Sequence, residues 1–566
     1  MLASQGKSVL VGRFALCLAV LAQCATAQTV ERPNILLIVA DDLGYSDLGA
    51  YGGEISTPNL DEIARHGVLF TDFHAAATCS VSRSMLLTGV DHHRNGMGGL
   101  DEGGALYSRP RPGYEGYLNE HVVTVTELLR DAGYLTYMAG KWHLGRGDAT
   151  GPHTRGFAHS FALLGGAASH YTMDAGTSAQ PKAQYREDGQ PVDKLPPDFY
   201  SSRSYTDKLI AYSDQARAAG RPFFMYAAYT APHWPLQAPR PTIEKYAGIY
   251  DAGYDAIRDA RVERMRQLGR LAPGLAHQPE RSDPAARDWS SLDAQMRGRE
   301  SRRMQVYAAM VDALDEQIGR LLAHLRETGQ LERTAIFFLS DNGPEGNDPY
   351  VIQDNATWIP QRFDTRTESL GDPGSFAAYG PGWARVSATP FALYKAFPTE
   401  GGIRVPAIAW LPADMAPAGV DTQFATVLDI TPTLLDIAGV RGPGARYQGR
   451  KLIPIEGRSL LSRLQDVSRR AGEDSSRAVG WELFGRTAVR RGRWKIVRVE
   501  SPYGTAAWQL FDLAQDPFEG NDLAQGNPRQ LRRMLRDWSA YLHRNGVWLQ
   551  DYSNLQYGRV NRHYEH

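Results

Sequence analysis

The sequence predicts an α/β chain: a large mixed, mostly parallel sheet sandwiched by helices, with a smaller C-terminal antiparallel sheet and a terminal helix. Three observations predict it. Four apolar, β-rich runs (Asn34–Ala40, Gly133–Met138, Phe223–Tyr229 and Thr334–Ser340) lack polar alternation, as strands buried on both faces do. Helical spacing appears between them, most clearly in Met304–Leu325, where Val306, Met310, Leu314, Ile318, Leu321 and Leu322 share a face. Near the C-terminus the pattern turns to short alternating stretches, Arg486–Arg490 and Trp494–Val499, followed by a helical stretch over Arg529–Arg544.

Each of the four runs ends in residues that carry chemistry. Asn34–Ala40 leads into Asp41-Asp42, and two adjacent carboxylates repel each other unless a cation is bound. Alternatively, Asp42 caps a helix and Asp41 is solvated. Gly133–Met138 leads into Ala139-Gly140-Lys141-Trp142-His143, which puts a cation and an imidazole at a strand end; a solvated Lys141 is the alternative. Phe223–Tyr229 leads into Pro232-His233-Trp234-Pro235, with prolines fixing the backbone around His233. Thr334–Ser340 leads into Asp341-Asn342. Sites in α/β sheets lie off the carboxyl ends of the strands, so the four endings belong to one site. Asp41, Asp42, Asp341 and the Asn342 amide make a hard-oxygen shell suited to Ca²⁺ or Mg²⁺. Val122–Arg130 and Asp429–Leu435 read as further helices, and Ala407–Pro412 as a further strand. In Asp91-His92-His93 the two histidines could be ligands but read rather as exposed loop residues, and the charged stretch Tyr246–Arg303 reads as solvated helices and loops covering one side.

The three cysteines are Cys17, Cys24 and Cys79. Lys7 and Arg13, the apolar run Phe14–Ala22 and Ala25-Thr26-Ala27 form a secretory signal peptide, residues 1–27, cut before Gln28. A secreted or periplasmic location follows; Leu21-Ala22-Gln23-Cys24 fits a lipoprotein site poorly. The apolar run is too short to span a bilayer and no later run is long enough, so stable membrane insertion is not expected. Cys79 is then alone in the mature chain, and a lone thiol in an oxidising compartment points to chemical use or conversion. It opens a helical run with Arg83 four residues on, where the helix dipole and the cation favour a thiolate. The alternative is a small buried thiol. The remaining chain divides into a catalytic domain, 28–440, and a C-terminal subdomain, 441–566, with a Gly-, Arg- and Ser-rich linker at 440–475. A net charge of -1 gives no electrostatic basis for a nucleic-acid partner.

In chain order, Pro33-Asn34-Ile35 with Asp41-Asp42, Cys79–Gly89, Gly140–Gly145, Ala231–Pro235, Ser340–Gly343, Glu400-Gly401-Gly402, Gly480–Gly485 and Gln509–Leu513 resemble the type I sulfatases. These belong to the alkaline-phosphatase-like superfamily, and the likeness is to bacterial arylsulfatases, over about Arg32 to Gln550. The resemblance implies that a formylglycine-generating maturation enzyme oxidises Cys79 to formylglycine (3-oxoalanine), whose hydrate attacks the sulfur of a small-molecule sulfate ester. It implies that Asp41, Asp42, Asp341, Asn342 and residue 79 surround a divalent cation, Ca²⁺ or Mg²⁺. Arg83 would stabilise the nucleophile, while Lys141, His233 and Lys395 would bind sulfate oxygens. His233 or Lys395 would protonate the leaving group, and His143 would take the proton that frees sulfate. The family signature carries Pro or Ala two residues after the cysteine; Val81 stands there in this chain. Three activities fit: a sulfuric ester hydrolase, a phosphonate monoester or phosphodiester hydrolase, or a catalytically silent metal-binding protein. The loops Gly165–His170 and Ala378–Trp383, with His170, Tyr379 and Trp383, are candidates for the pocket mouth.

Overall fold

The structure, a computed structural model of the 566-residue chain, describes residues 32–99, 111–271, 283–352, 354–413, 415, 417–467 and 476–549. The expected signal peptide lies outside the described residues. Ten strands form the large sheet, in the order Gly419–Asp421, Val68–Phe70, Ala407–Trp410, Thr334–Ser340, Asn34–Ala40, Phe223–Ala228, Leu135–Lys141, His159–Leu163, Tyr185–Glu187 and Gln190–Val192. The five strands from Thr334–Ser340 to His159–Leu163 are mutually parallel, and Ala407–Trp410 and Tyr185–Glu187 run against them. Ile35, Leu36, Leu37, Ile38 and Val39 on the central strand are all fully buried, which accounts for the missing alternation. Each such side chain contributes about 1.5–3 kcal/mol on burial.

Pairing register places the strand ends level. Ala40 lies opposite Ser340, Val39 opposite Ala228, and Ala228 opposite Gly140. The residues that follow therefore emerge side by side at one edge. Helices cover the sheet: Ser201–Ala218 packs on the strands Leu135–Lys141 and Phe223–Ala228 and against the long helix Ala294–Glu327. That long helix begins ten residues before its apolar periodicity does, because Asp293 caps it and its first turns are charged and exposed. The helix expected from Val122 spans Val125–Asp131, since Thr124 and Glu127 form a capping box that sets its start.

The C-terminal sheet is antiparallel, in the order Ala478–Leu483, Arg486–Arg491, Trp494–Arg498 and Gln509–Asp512. Its period-two pattern has two apolar faces. Val489, Ile496 and Leu510 pack with Met534, Trp538 and Tyr541 of the helix Pro528–Asn545. The alternate residues Ala488, Val497 and Phe511 join the main core, together with Trp481 and Leu483. The Gly-rich stretch before it carries a small hairpin, Arg446–Tyr447 with Arg450–Lys451, and a helix, Leu461–Gln465. Arg463 ties that helix to Asp421 at the edge of the large sheet, at 2.8 and 2.9 Å.

Two expectations are overturned here. His92 and His93 are buried, not exposed, because Asp91 caps their short helix and the small sheet covers it. Tyr246–Arg303 is not merely a solvated cover. Its helix Tyr254–Gln267 turns Arg261 fully inward, 2.6 Å from Asp47 and 2.7 Å from Glu54. Two carboxylate partners offset the desolvation of that guanidinium.

Candidate active site

Asp41 and Asp42 follow the central strand, and Asp41 continues the ladder by donating its N–H to the Ala231 carbonyl at 3.1 Å. Asp42 then turns away at φ 69°, which aims its carboxylate along the sheet edge instead of into the helix cap considered above. The Asp341 N–H bonds the Ala40 carbonyl at 3.1 Å, so the neighbouring strand ends level with it. Cys79 begins the helix Cys79–Thr88, whose ten residues are all buried.

The cluster is a lattice of paired charges. Lys141 Nζ lies 2.7 and 3.0 Å from the Asp41 carboxylate oxygens. Arg83 Nε donates to Asp341 at 2.7 Å, and its Nη1 to the Lys141 carbonyl at 3.0 Å. Lys395 Nζ donates to Asp42 at 2.9 Å. Asp42 also accepts from Asn342 Nδ2 at 2.7 Å, lies 3.6 Å from Cys79 Sγ, and faces His233 Nε2 at 3.5 Å. These contacts join every expected site residue except His143, which stands two residues beyond Lys141, buried, at φ 56°.

Electrostatics differ among the acids. Burial opposes ionisation of Asp41, but the charges of Lys141 and Arg83 outweigh it and hold its carboxyl well below the usual range. Burial dominates at Asp341, which is pushed up to about 6 against the pull of Arg83, with Asp41 adding repulsion. The thiolate expected at Cys79 is not favoured. Burial raises its thiol well above the usual value and the Asp341 and Asp41 carboxylates add to this, outweighing the cations. As a thiol, residue 79 is a poor nucleophile.

The donor set suits a hard divalent cation. Three carboxylates and an amide converge, and Asn342 Oδ1 is buried without a hydrogen-bond partner. Asp41, Asp42, Cys79 and His233 also offer ligand atoms within 4.8 Å of one another.

The sulfatase family profile matches residues 33–440. The chain belongs to the sulfatase family. It is a sulfuric ester hydrolase. A second profile, the C-terminal part of N-sulphoglucosamine sulphohydrolase, matches residues 392–540. An uncharacterised sulfatase of Schizosaccharomyces pombe is 40% identical over 529 residues, covering 91% of this chain and 94% of that protein. The arylsulfatase of Klebsiella aerogenes is 37% identical over 457 residues, covering 80% of this chain and 97% of that protein. Among solved structures, the sulfatase PsFucS1 from Pseudoalteromonas shares the fold with a TM-score of 0.61, 22% identity and 93% coverage of both chains. The phosphonate monoester hydrolase of Silicibacter pomeroyi shares it with a TM-score of 0.55, 20% identity, and coverage of 91% and 96%.

Around this sulfatase cluster the expected pocket mouth divides. Tyr379 does line a narrow cleft, together with Asp42, Pro232, Trp234, Leu236, Tyr307, Glu345 and Ala378. Trp383 does not; it is packed among Tyr250, Tyr254 and Trp289 in the core. His170 is buried behind His233, donating through Nε2 to the His233 carbonyl at 3.1 Å and accepting from Ser201 Oγ at 2.6 Å. Glu345 went unpredicted, although it stands only three residues after Asn342 in the same strand-end loop. A single Glu in a polar loop carries no pattern that separates it from a solvated one.

Proposed function

We propose that this sulfatase is an arylsulfatase, hydrolysing sulfate monoesters of phenols and similar alcohols with a formylglycine derived from Cys79. The observation that carries it is the convergence of Arg83, Lys141, Lys395 and His233 with the acids on residue 79 at one sheet edge. A sulfuryl group with charged oxygens needs fixed cations around it in a water-poor site. The arylsulfatase of Klebsiella aerogenes supports the substrate class.

Asp41, Asp42, Asp341 and Asn342 would hold a divalent cation, Ca²⁺ with Mg²⁺ as the alternative. Such an ion withdraws charge from sulfate oxygens, and an oxidised residue 79 supplies a hydroxyl nucleophile where the thiol cannot. Asp341 would take a proton from that hydroxyl, and Arg83, whose Nε meets Asp341 at 2.7 Å, would stabilise the charge left behind. Lys141 and Lys395 would bind the sulfate oxygens. His233 Nδ1 donates to the Trp234 carbonyl at 2.7 Å, which leaves Nε2 as an acceptor in the neutral ring. Lys395 is then the group that carries a proton for the leaving oxygen. His143 would take the proton lost as sulfate departs. Residues 1–27 would direct the enzyme to the periplasm or medium, and a maturation enzyme would convert Cys79 before the helix folds.

Mass spectrometry of the peptide containing Cys79, on protein from its own host, tests this reading alongside release of sulfate from nitrophenyl sulfate. An aldehyde at residue 79 with sulfate release is expected. A fully retained thiol would sink the formylglycine chemistry and leave the metal-binding reading in its place.

A further inference from the structure

Glu345 has no part in the chemistry set out above, yet its carboxylate is buried against it. Only 3% of the residue is exposed. One of its oxygens lies 3.0 Å from Lys395 Nζ, while the other accepts from the Asn347 backbone N–H at 2.8 Å and from Asn347 Nδ2 at 2.7 Å. Asn347 Nδ2 also donates to the Lys395 carbonyl at 3.1 Å, and the Lys395 N–H donates to the Pro344 carbonyl at 3.0 Å. Two loops are thus laced together, and the Lys395 ammonium is held between Asp42 and Glu345.

Glu345 and Asp42 also share the narrow cleft described above. Its other walls are apolar or aromatic, apart from one donor. Trp234 Nε1 is buried without a hydrogen-bond partner, whereas the Tyr379 hydroxyl faces Ser387 and Tyr307. A buried donor of that kind is costly unless a ligand or water completes it. The cleft therefore offers one donor to an incoming group, beside the carboxylates of Glu345 and Asp42.

We propose that Glu345 is a charge filter for the ester and the positioning residue of Lys395. The cleft it lines takes leaving groups that carry no negative charge and offer a hydrogen-bond acceptor to Trp234. This rests on the sulfatase reading and narrows its substrate class to uncharged aryl or cyclic alcohol sulfates. A sulfate monoester brings one negative charge into the site, whereas a phosphate monoester at alkaline pH, or the free sulfate ion, brings two. Each added charge meets repulsion from Glu345 at short range in a poorly screened setting, which amounts to discrimination on the order of ten-fold.

The test uses the mature, calcium-loaded enzyme and its Glu345→Gln variant, which keeps an acceptor for Asn347 and loses the charge. The first readout is kcat/KM for nitrophenyl phosphate relative to nitrophenyl sulfate at alkaline pH. The second, which needs no turnover, is calorimetric affinity for inorganic sulfate relative to benzenesulfonate. In the variant both ratios should rise on the order of ten-fold, and Glu345→Asp should restore them even if its kcat is lower. Ratios unchanged within about two-fold, or a fall shared equally by both substrates, would overturn the filter and leave Glu345 a structural brace. A wild-type enzyme without activity on sulfate esters would refute the functional reading instead. The calorimetric ratio would still decide the role of Glu345.

Discussion

Asp42 is the most connected side chain of the site: Lys395, Asn342, His233 and the Cys79 sulfur all meet its carboxylate. Asp42→Asn keeps the shape and removes the charge. On the proposed metal reading it should weaken calcium binding by at least about 100-fold, since outer-shell changes alone cost about 10–100-fold. Calorimetric titration of the variant, with circular dichroism to confirm folding, checks this. In the wild type, adding calcium at about 100 times its dissociation constant should stabilise the fold by about 2.7 kcal/mol. A chelator should lower the thermal midpoint correspondingly. A midpoint indifferent to both would mean that the lysine and arginine partners alone neutralise the acids.

At the scale of single elements, the helix Cys79–Thr88 explains why Val81 can stand where the sulfatase signature that this stretch resembles has proline or alanine. Val81 is the third helical residue, in the first turn, where a backbone N–H has no intrahelical partner to lose. It is buried against a small cavity bordered by Ala77, Met85 and Trp481. Val81→Pro should therefore shift folding stability by less than about 1 kcal/mol, as measured by urea unfolding. On the proposed formylglycine reading, conversion of Cys79, read by mass spectrometry, should rise, because a maturation enzyme would meet the segment unfolded. The helix Tyr254–Gln267 behaves differently. Arg261→Met would leave Asp47 buried without its cation and Glu54 with Arg264 alone, at 3.4 Å, and Asp47 also receives the Tyr307 hydroxyl at 2.7 Å beside the Asp42 turn. A loss of about 3–5 kcal/mol is expected. A loss below about 1 kcal/mol would show that the pair is dispensable.

Across the whole molecule, buried charges join the small sheet to the large one. His93 bonds Asp91 and Glu482, both at 3.0 Å, and Tyr541 of the terminal helix donates to Asp91 at 2.8 Å. Glu400, just past the Lys395 loop, meets His74 at 2.9 Å and Lys495 at 2.7 Å. Burial alone would depress His93, but the hydrogen bonds to Asp91 and Glu482 overcome it and push its pKa up to about 9, from an ordinary value of 6.5. A pKa raised in the folded state gives stability that is complete below the unfolded value and lost as pH rises through the folded one. Between about pH 6.5 and 9 the chain should lose on the order of 3 kcal/mol from this group. Urea unfolding of wild type and His93→Gln across that range checks the sign: the gap between them should close as pH rises. A constant gap would show that His93 is not protonated in the fold.

The sequence by itself determined the four central strands of the large sheet and what ends them. Runs such as Asn34–Ala40 and Thr334–Ser340 are legible because burial on both faces leaves an unbroken apolar stretch, and Asp41, Asp42, Asp341 and Asn342 follow directly. The order of motifs, from Cys79 to Lys395, was legible as a family pattern for the same reason: each lies within a few residues of a recognisable strand or helix. Only the tertiary structure decided which partner each charge takes. Glu345 on Lys395, Arg261 on Asp47 and His93 on Glu482 join residues far apart in the chain, and a lone charged residue looks the same in sequence whether solvated or buried. The state of Cys79 was decided there too. A helix start beside Arg83 favours a thiolate locally, but burial among Asp41, Asp42 and Asp341 reverses that preference, and those acids arrive from other strands.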